Sequence, residues 1–480
     1  MSNIFDNKLN KTKCQKFTPD DMVKKMLDLA GYTKNLVGKT ILENSFGSGN
    51  ILVEIVKRYI EDCIQAGLCP GTIATNLTRD IFGVELDQEL FNSCVKRLNE
   101  IAGEYGILDV TWSLYNGNAL THTFDREFDF IIGNPPYIAY KDLDNDSKDY
   151  LKKNFTSCKQ GKFDYCYAFI ERGIKLLSPV GKLVQLVPSS IYKTVFGEKL
   201  REILQPHISV IYEYPNKKLF GNTLTSNTMF LFDMSCDSPQ IEYADATAGY
   251  TFNVERASLG EKWVFQKKES KENIEAPKKE KMRFGEYFHA SIVVATLLNE
   301  AFILTPEQLQ ELNLERTVIR RAASPKMLRG KKEEYIIFPY YYDNGDLHRY
   351  HSEEFADAFP NVAAYLEGYR DKLNARNVDA SAEWFEYGRS QALGILNQEK
   401  LLISTVVTNK VETYKLDAET IPYAGILITV KKSGYTLDDA VQILGDQRFL
   451  QYVNSIGISI SGKSKRITCK DVNNYRFVKE

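Results

Sequence analysis

Phe-Asp-Phe-Ile-Ile-Gly-Asn-Pro-Pro-Tyr, residues 128–137, is an apolar strand that runs directly into a stiff turn. Pro135 and Pro136 fix φ and remove two backbone donors. Asn134 offers a side-chain carbonyl, Pro135 a main-chain carbonyl that can be aimed outward, and Tyr137 a flat face for stacking. Two carbonyls beside an aromatic face are the groups that hold a planar exocyclic amine. Its NH2 donates one hydrogen bond to each carbonyl, and its lone pair is then free to attack an electrophilic methyl group. By itself the tetrapeptide also fits a Pro-Pro turn after a buried strand, so its reading depends on the rest of the chain.

Outward from it, residues 40–50 read Thr-Ile-Leu-Glu-Asn-Ser-Phe-Gly-Ser-Gly-Asn, and a helical pattern follows over 51–60. A strand ending in an acid, a Gly-x-Gly turn and a helix is how a doubly wound sheet presents a ligand at its carboxyl edge. Gly47 and Gly49 permit positive φ and close backbone approach. The Glu43 carboxylate suits a cationic amino-acid end better than a pyrophosphate. Residues 79–87, Arg-Asp-Ile-Phe-Gly-Val-Glu-Leu-Asp, form a second strand ending in acids. Glu85 is placed to accept from ribose hydroxyls. A third strand near 110–115 ends in Gly117-Asn118-Ala119, and the fourth delivers Asn134. The fold class is therefore α/β, a doubly wound Rossmann-like sheet.

Four strand ends in this order resemble the S-adenosylmethionine-dependent DNA amino-methyltransferases. The likeness is best to the adenine-N6 enzymes of restriction-modification systems, in the TaqI-like and Eco57I-like class with an N-terminal cofactor motif and a C-terminal target-recognition domain. The resemblance extends along most of the chain. Phe17-Thr18-Pro19 resembles the motif that closes over the methionine part of the cofactor. Glu43, Phe46, Gly47 and Gly49 fall on the first Gly-rich motif, Glu85 on the ribose acid and Leu86 on an adenine-contacting position. Asn118 and Ala119 fall on the third motif. Asp164 to Phe169 resembles the Asp-Leu-Tyr-x-x-Phe helix that lines the pocket, and residues 181–188 the fifth strand. Phe220 falls where the family stacks an aromatic on the second face of the target base, opposite Tyr137. Three departures stand out. Asn118 replaces an Asp, so its amide carbonyl is expected to do the accepting. Asn44 replaces a Pro, and Cys166 replaces the Tyr of the pocket helix.

Composition bounds these implications. The chain has 480 residues, 43% hydrophobic and 26% charged, so two domains are the natural expectation. Eight cysteines lie scattered without Cys-x2-Cys spacing, which predicts a reduced, cytoplasmic chain and no zinc site. No apolar run could span a bilayer. His348 and His351 form a His-x-x-His pair without a third ligand at suitable spacing, and a surface loop is expected there; no metal is expected anywhere.

The net charge is −2, so binding a polyanion requires a local patch. The run from Arg316 to Lys332 contains Arg316, Arg320, Arg321 and Arg329 with three lysines and no acid. A second basic loop contains Lys463, Lys465 and Arg466. Both are candidate DNA contacts, and both are also compatible with solvated basic loops. Alternating strands and helices fill residues 1–240, with 208–214 and 226–232 as the last two strands of the sheet. Residues 241–283 read as a connector, and 284–480 as a mixed α+β target-recognition domain. Its pieces resemble the strand at 334–340, the Trp384-x-x-x-x-Arg389 pattern and the Lys-strand at 400–403 of the family.

The resemblance implies direct methyl transfer from S-adenosylmethionine to a base flipped out of double-stranded DNA. Asn134, Pro135, Pro136 and Tyr137 would be the catalytic constellation. Adenine-N6 is preferred because the cytosine-N4 enzymes more often carry Ser in place of the Asn. Cytosine-N4 stays open as the alternative. Protein glutamine and ribosomal RNA guanine-N2 methyltransferases also share Asn-Pro-Pro-Tyr, but leave the Thr18-Pro19 motif and the C-terminal half unexplained. Expected partners are DNA and a separately acting restriction endonuclease, with the chain a monomer.

Overall fold

The structure is a computed structural model that describes residues 18–217, 225–265, 282–460 and 463–478. The chain divides into two compact units, residues 1–267 and 268–480.

The first unit alternates helix and strand. Pro19 caps α1 (Asp20–Ala30), whose first turn carries Asp20 and Asp21 against the positive end of the helix dipole. Met22, Val23, Met26, Leu27 and Ala30 recur at helical spacing and are all buried, and Gly31 ends the helix at φ 77°. Then come β1 (Ile41–Glu43), α2 (Asn50–Gln65), α3 (Pro70–Asp80), β2 (Ile81–Glu85), α4 (Gln88–Glu104), β3 (Ser113–Asn116) and β4 (Phe128–Gly133). After α5 (Asn145–Asn154), α6 (Cys166–Lys175), β5 (Leu177–Pro188) and α7 (Glu198–Leu204), the chain forms β6 (Ile208–Lys217), β7 (Thr225–Asp233), β8 (Gln240–Asp245) and β9 (Tyr250–Glu255).

Among the described residues these strands make one sheet in the order β3-β2-β1-β4-β5-β7-β6-β8-β9. β3 through β5 are parallel neighbours, and β7 enters antiparallel to β5 and β6. The strand order reverses between β1 and β4, which opens a crevice at their carboxyl ends. Both sheet faces are covered. Ile131 joins the core cluster that contains α6, and Ile132 joins the one that contains α1 and α2. Each such buried Ile contributes about 1.5–3 kcal/mol.

Two placements correct the sequence reading. β3 starts at Ser113, a few residues later than expected. More importantly, β7 does not close the sheet: residues 240–255, expected in or at the start of a connector, add β8 and β9 to its edge. β9 is the edge, and both strands are buried on one side, with Ile241, Tyr243 and Val254 inward and polar or charged residues outward, so their apolar signal is thin.

The second unit is mixed α+β. One sheet orders Phe288–Ile292, Ile426–Val430, Lys400–Ile403 and Thr413–Leu416, all antiparallel. A second orders Ile303–Leu304, Tyr335–Ile337, Ile319–Ala323 and Ile421–Pro422. Tyr340–Asp343 and Asp346–Arg349 form a hairpin on which His348 stacks against Tyr341, and His351 caps the next helix. Among the described residues no helix is long and apolar enough to cross a membrane.

Candidate active site

The carboxyl ends of β1, β2 and β4 bring Glu43, Glu85 and Asn134 to one edge of the sheet. After β1 the chain turns through Gly47 at φ 55° and Gly49 at φ 82°, and Gly49 caps α2. The two glycines differ in role. A side chain on Gly49 would run into Cys94 Sγ of α4, inside the protein. A Cβ on Gly47 would meet nothing within 4 Å. Gly47 is therefore open on its outer side, and Gly49 is required by packing against α4. Phe46 is also internal, 3% exposed and packed on Phe91 and Gly83.

Glu85 braces this turn. It accepts from the Gly47 N–H at 2.8 Å and from the Asp87 N–H at 2.9 Å, and burial pushes its carboxyl up. Glu43 is 2% exposed, and its Oε2 has no hydrogen-bond partner in the protein. Burial first, and the Glu85 charge second, push the Glu43 carboxyl well above the usual range. Two crowded carboxylates, one lacking a partner, favour a cationic group beside them. That is the chemistry of the amino-acid end of S-adenosylmethionine, and the open side of Gly47 fits its approach. Leu86 is exposed beyond Glu85, and Ala119 is buried.

Asn118 is anchored to the main chain: its Oδ1 accepts from the Leu120 N–H at 2.9 Å, while its Nδ2 is buried without a partner. The oxygen keeps a second lone pair, so the side chain offers a ligand both an acceptor and a donor.

Asn134 is held from both ends. Its Nδ2 donates to Thr18 Oγ1 at 3.1 Å, which orients the side-chain amide, and Ser45 Oγ donates to its main-chain carbonyl at 3.4 Å. Thr18 is 5% exposed and its carbonyl accepts from Asn50 Nδ2 at 3.2 Å. Arg97 of α4 donates to Ser48 O at 2.6 Å and to Asn50 Oδ1 at 2.9 Å, so the Gly turn, Thr18 and Asn134 form one linked set. Pro135 is buried, and Tyr137 is half-buried with its hydroxyl donating to Leu186 O at 2.8 Å. The start of α6 supports the same loop: Tyr165 N donates to Ile138 O at 3.0 Å, and Ala139 bridges Asp164. The sequence reading missed Ser45, Asn50 and Arg97. Their signal is weak, because each acts by spanning segments far apart in the chain. Phe17 and Phe220 lie outside the described residues.

In the second unit the basic run is more neutral than its sequence. Arg320 pairs with Glu419 at 3.0 Å, Arg321 with Glu333 at 3.2 Å and Arg329 with Glu412 at 2.6 Å, and Arg316 donates to Leu309 O at 3.0 Å. The acids enter from outside the run. Lys326, Lys331 and Lys332 are exposed and have no ion pair among the described residues. Lys463 and Arg466 are exposed, and Lys465 donates to Ser459 Oγ at 2.7 Å. Arg389 pairs with Asp379 at 3.2 Å.

Residues 53–220 match the Eco57I restriction-modification methylase family. The type II methyltransferase M.BstVI of Geobacillus stearothermophilus is 24% identical over 441 residues, covering 81% of this chain and 76% of its own. M.PaeR7I of Pseudomonas aeruginosa is 30% identical over 197 residues, 39% of this chain and 34% of its own. Modification methylase CviBIII of Paramecium bursaria Chlorella virus NC1A is 26% identical over 246 residues, 50% of this chain and 56% of its own. Among solved structures, the type IIL restriction-modification enzyme MmeI in complex with DNA superposes with a TM-score of 0.64 at 15% identity. That alignment covers 95% of this chain and 64% of the MmeI chain.

Proposed function

From the chain's place among the Eco57I-like restriction-modification methylases, we propose that it transfers a methyl group from S-adenosylmethionine to the N6 amine of an adenine flipped out of double-stranded DNA. It would act as the modification arm of a restriction-modification system beside a separate endonuclease, as a cytoplasmic monomer. The observation that carries this reading is the tethering of Asn134 to Thr18 and Ser45, at the crevice beside the unpartnered Glu43 Oε2.

When bound, S-adenosylmethionine supplies an electrophilic sulfonium methyl. Glu43 receives the cationic amino-acid end, Glu85 the ribose hydroxyls, and Gly47 the close backbone approach. With its nitrogen engaged by Thr18, the Asn134 amide turns its carbonyl to the base, and the Pro135 carbonyl is the second acceptor for the amine. The Leu186 contact keeps Tyr137 at a fixed angle for stacking. Much of the acceleration then comes from holding amine and methyl in line, and unstacking the base costs a few kcal/mol that stacking partly offsets. No dedicated base is needed, because a methylated, positively charged amine loses its proton readily to water. We assign target reading to residues 284–480 of the second unit and methyl transfer to the first unit, whose sheet runs on through β9 to Glu255. The DNA-bound MmeI likeness supports a DNA substrate, and Asn at position 134 favours adenine over cytosine.

Methylation-sensitive sequencing of DNA from cells expressing the chain tests this reading. The expected result is N6-methyladenine at one recurring sequence, absent with Asn134→Ala. N4-methylcytosine at such a sequence would transfer the reading to the other amine, and unmodified DNA would reject it.

A further inference from the structure

Asn44 and Gln185 stand on either side of Gly133. Asn44 follows the last residue of β1, and Gln185 is the β5 residue in register with Gly133. Gly133 ends β4 immediately before Asn134. The two side chains are 2% and 0% exposed. A Cβ on Gly133 would lie 3.1 Å from Asn44 Oδ1 and 3.3 Å from Gln185 Nε2, so the missing side chain is what lets both amides reach one point.

Their surroundings are apolar. Strand alternation puts them on the face of Leu42, Ile131, Leu183 and Val187, all members of one core cluster. An apolar residue is the default at such positions. Instead two primary amides face each other, and none of their four polar atoms has a hydrogen-bond partner in the protein. Burying such groups unmatched is costly, and a pair is far better matched than either alone. Each amide offers a donor and an acceptor to the same point, and with no direct hydrogen bond between them this is the requirement for one bridging water.

The location gives the pair a use. The Asn134 side chain leaves the sheet on the opposite face, where Thr18 holds it. On the amide face, Asn44 and Gln185 are what stands against the Gly133–Asn134 link. We propose that Asn44 and Gln185 are positioning residues that, joined across Gly133, fix the end of β4 so that the Asn134 carbonyl meets the substrate amine at the angle transfer requires. This rests on the methyl-transfer reading above.

Near-isosteric substitutions test it: Asn44→Leu, Gln185→Met and the double variant, in the full chain. Single-turnover methylation of the duplex identified by sequencing should fall at least tenfold in each single variant. Calorimetric affinity for S-adenosylmethionine, and affinity for the duplex, should stay within twofold. The double variant should be no slower than the slower single variant, and should melt above both, because no amide is then left alone. Wild-type rates in either single variant would overturn the proposal. So would a parallel loss of rate and cofactor affinity, or rate losses that multiply in the double variant. If a single variant does not fold, the double variant decides: a slow but folded enzyme supports the proposal, and a wild-type rate overturns it. If the wild-type chain itself transfers no methyl group, the functional reading fails instead. The melting temperatures then still decide whether the amides are coupled, with additive shifts overturning the pairing.

Discussion

The buried polar groups at the carboxyl edge of the first unit and the buried charges in the interior of the second are treated in opposite ways. At the edge, Glu43 Oε2, both amides of Asn44 and Gln185, and Asn118 Nδ2 are buried without partners in the protein. In the second unit, Lys400 is 0% exposed yet donates to Leu396, Gln398, Asp417 and Ala418 carbonyls at 2.7, 3.1, 2.6 and 3.0 Å. Arg376 donates to the carbonyls of Thr296, Glu386 and Trp384, and Arg349 engages both oxygens of Glu386, which is 1% exposed. Satisfied polarity of this kind holds loops in place. Unsatisfied polarity costs stability and is retained where a ligand, a water or a facing polar side chain completes it. On the proposed reading, the difference separates the unit that transfers the methyl group from the unit that reads the DNA.

The largest expected effect lies at the edge. Asn134→Ala removes the side-chain carbonyl without disturbing a packed core. Single-turnover methylation should drop by about 100–1000-fold, the usual loss for one oriented polar group at a reacting centre. DNA affinity should hardly change. A rate within a few-fold of wild type would place the amine elsewhere.

Lys400→Met is the matching experiment in the second unit. It strips four carbonyls of their common donor and should destabilise that unit by about 3 kcal/mol. Calorimetric unfolding would read this as an earlier transition, while cofactor affinity in the first unit stays unchanged. If the unit melts normally, the contrast between the two regions loses its meaning.

Glu43 gives a smaller effect of opposite sign. Burial and Glu85 raise its carboxyl, so the folded, ligand-free chain keeps a proton at pH values where the unfolded chain, near ~4.3, has lost it. The folded state then binds more protons, and its stability falls as pH rises through that window. Glu43→Gln abolishes this fall, so the variant should melt above wild type at neutral pH without ligand. A lower melting temperature would mean that Glu43 is structural.

The smallest effects belong to the basic run. On the DNA reading, alanine at Lys326, Lys331 and Lys332 should reduce the slope of log affinity against log salt by about 0.9 for each phosphate that these lysines neutralise. Arg320→Ala with Arg321→Ala should change it less, because Glu419 and Glu333 already occupy these guanidiniums. Equal slopes in both variants would return the arginines to the interface.

Local chemistry made the first unit legible. The acids at strand ends, the glycine turn and the Pro-Pro turn each announce their place through backbone constraints on a few consecutive residues, and β1, β2 and β4 end where those motifs fall. What connects them was not legible. Arg97, Asn50, Ser45 and Thr18 meet only because the sheet assembles, and a side chain that bridges two segments leaves no periodic trace in either. Asn118 was legible as a position, but its bond to the Leu120 N–H was not. The arginines of the basic run looked free because their acids lie outside it. β8 and β9 were missed because a short strand buried on one face carries only two or three apolar residues.

Titration of S-adenosylmethionine into the purified chain, and into Glu43→Gln, tests most directly whether the unsatisfied edge is a ligand site. The account predicts one site in the wild type and a rise in melting temperature with ligand concentration. In Glu43→Gln the affinity should fall at least tenfold, although that variant is the more stable one without ligand. Equal affinity in the two proteins, or no binding to either, would contradict it.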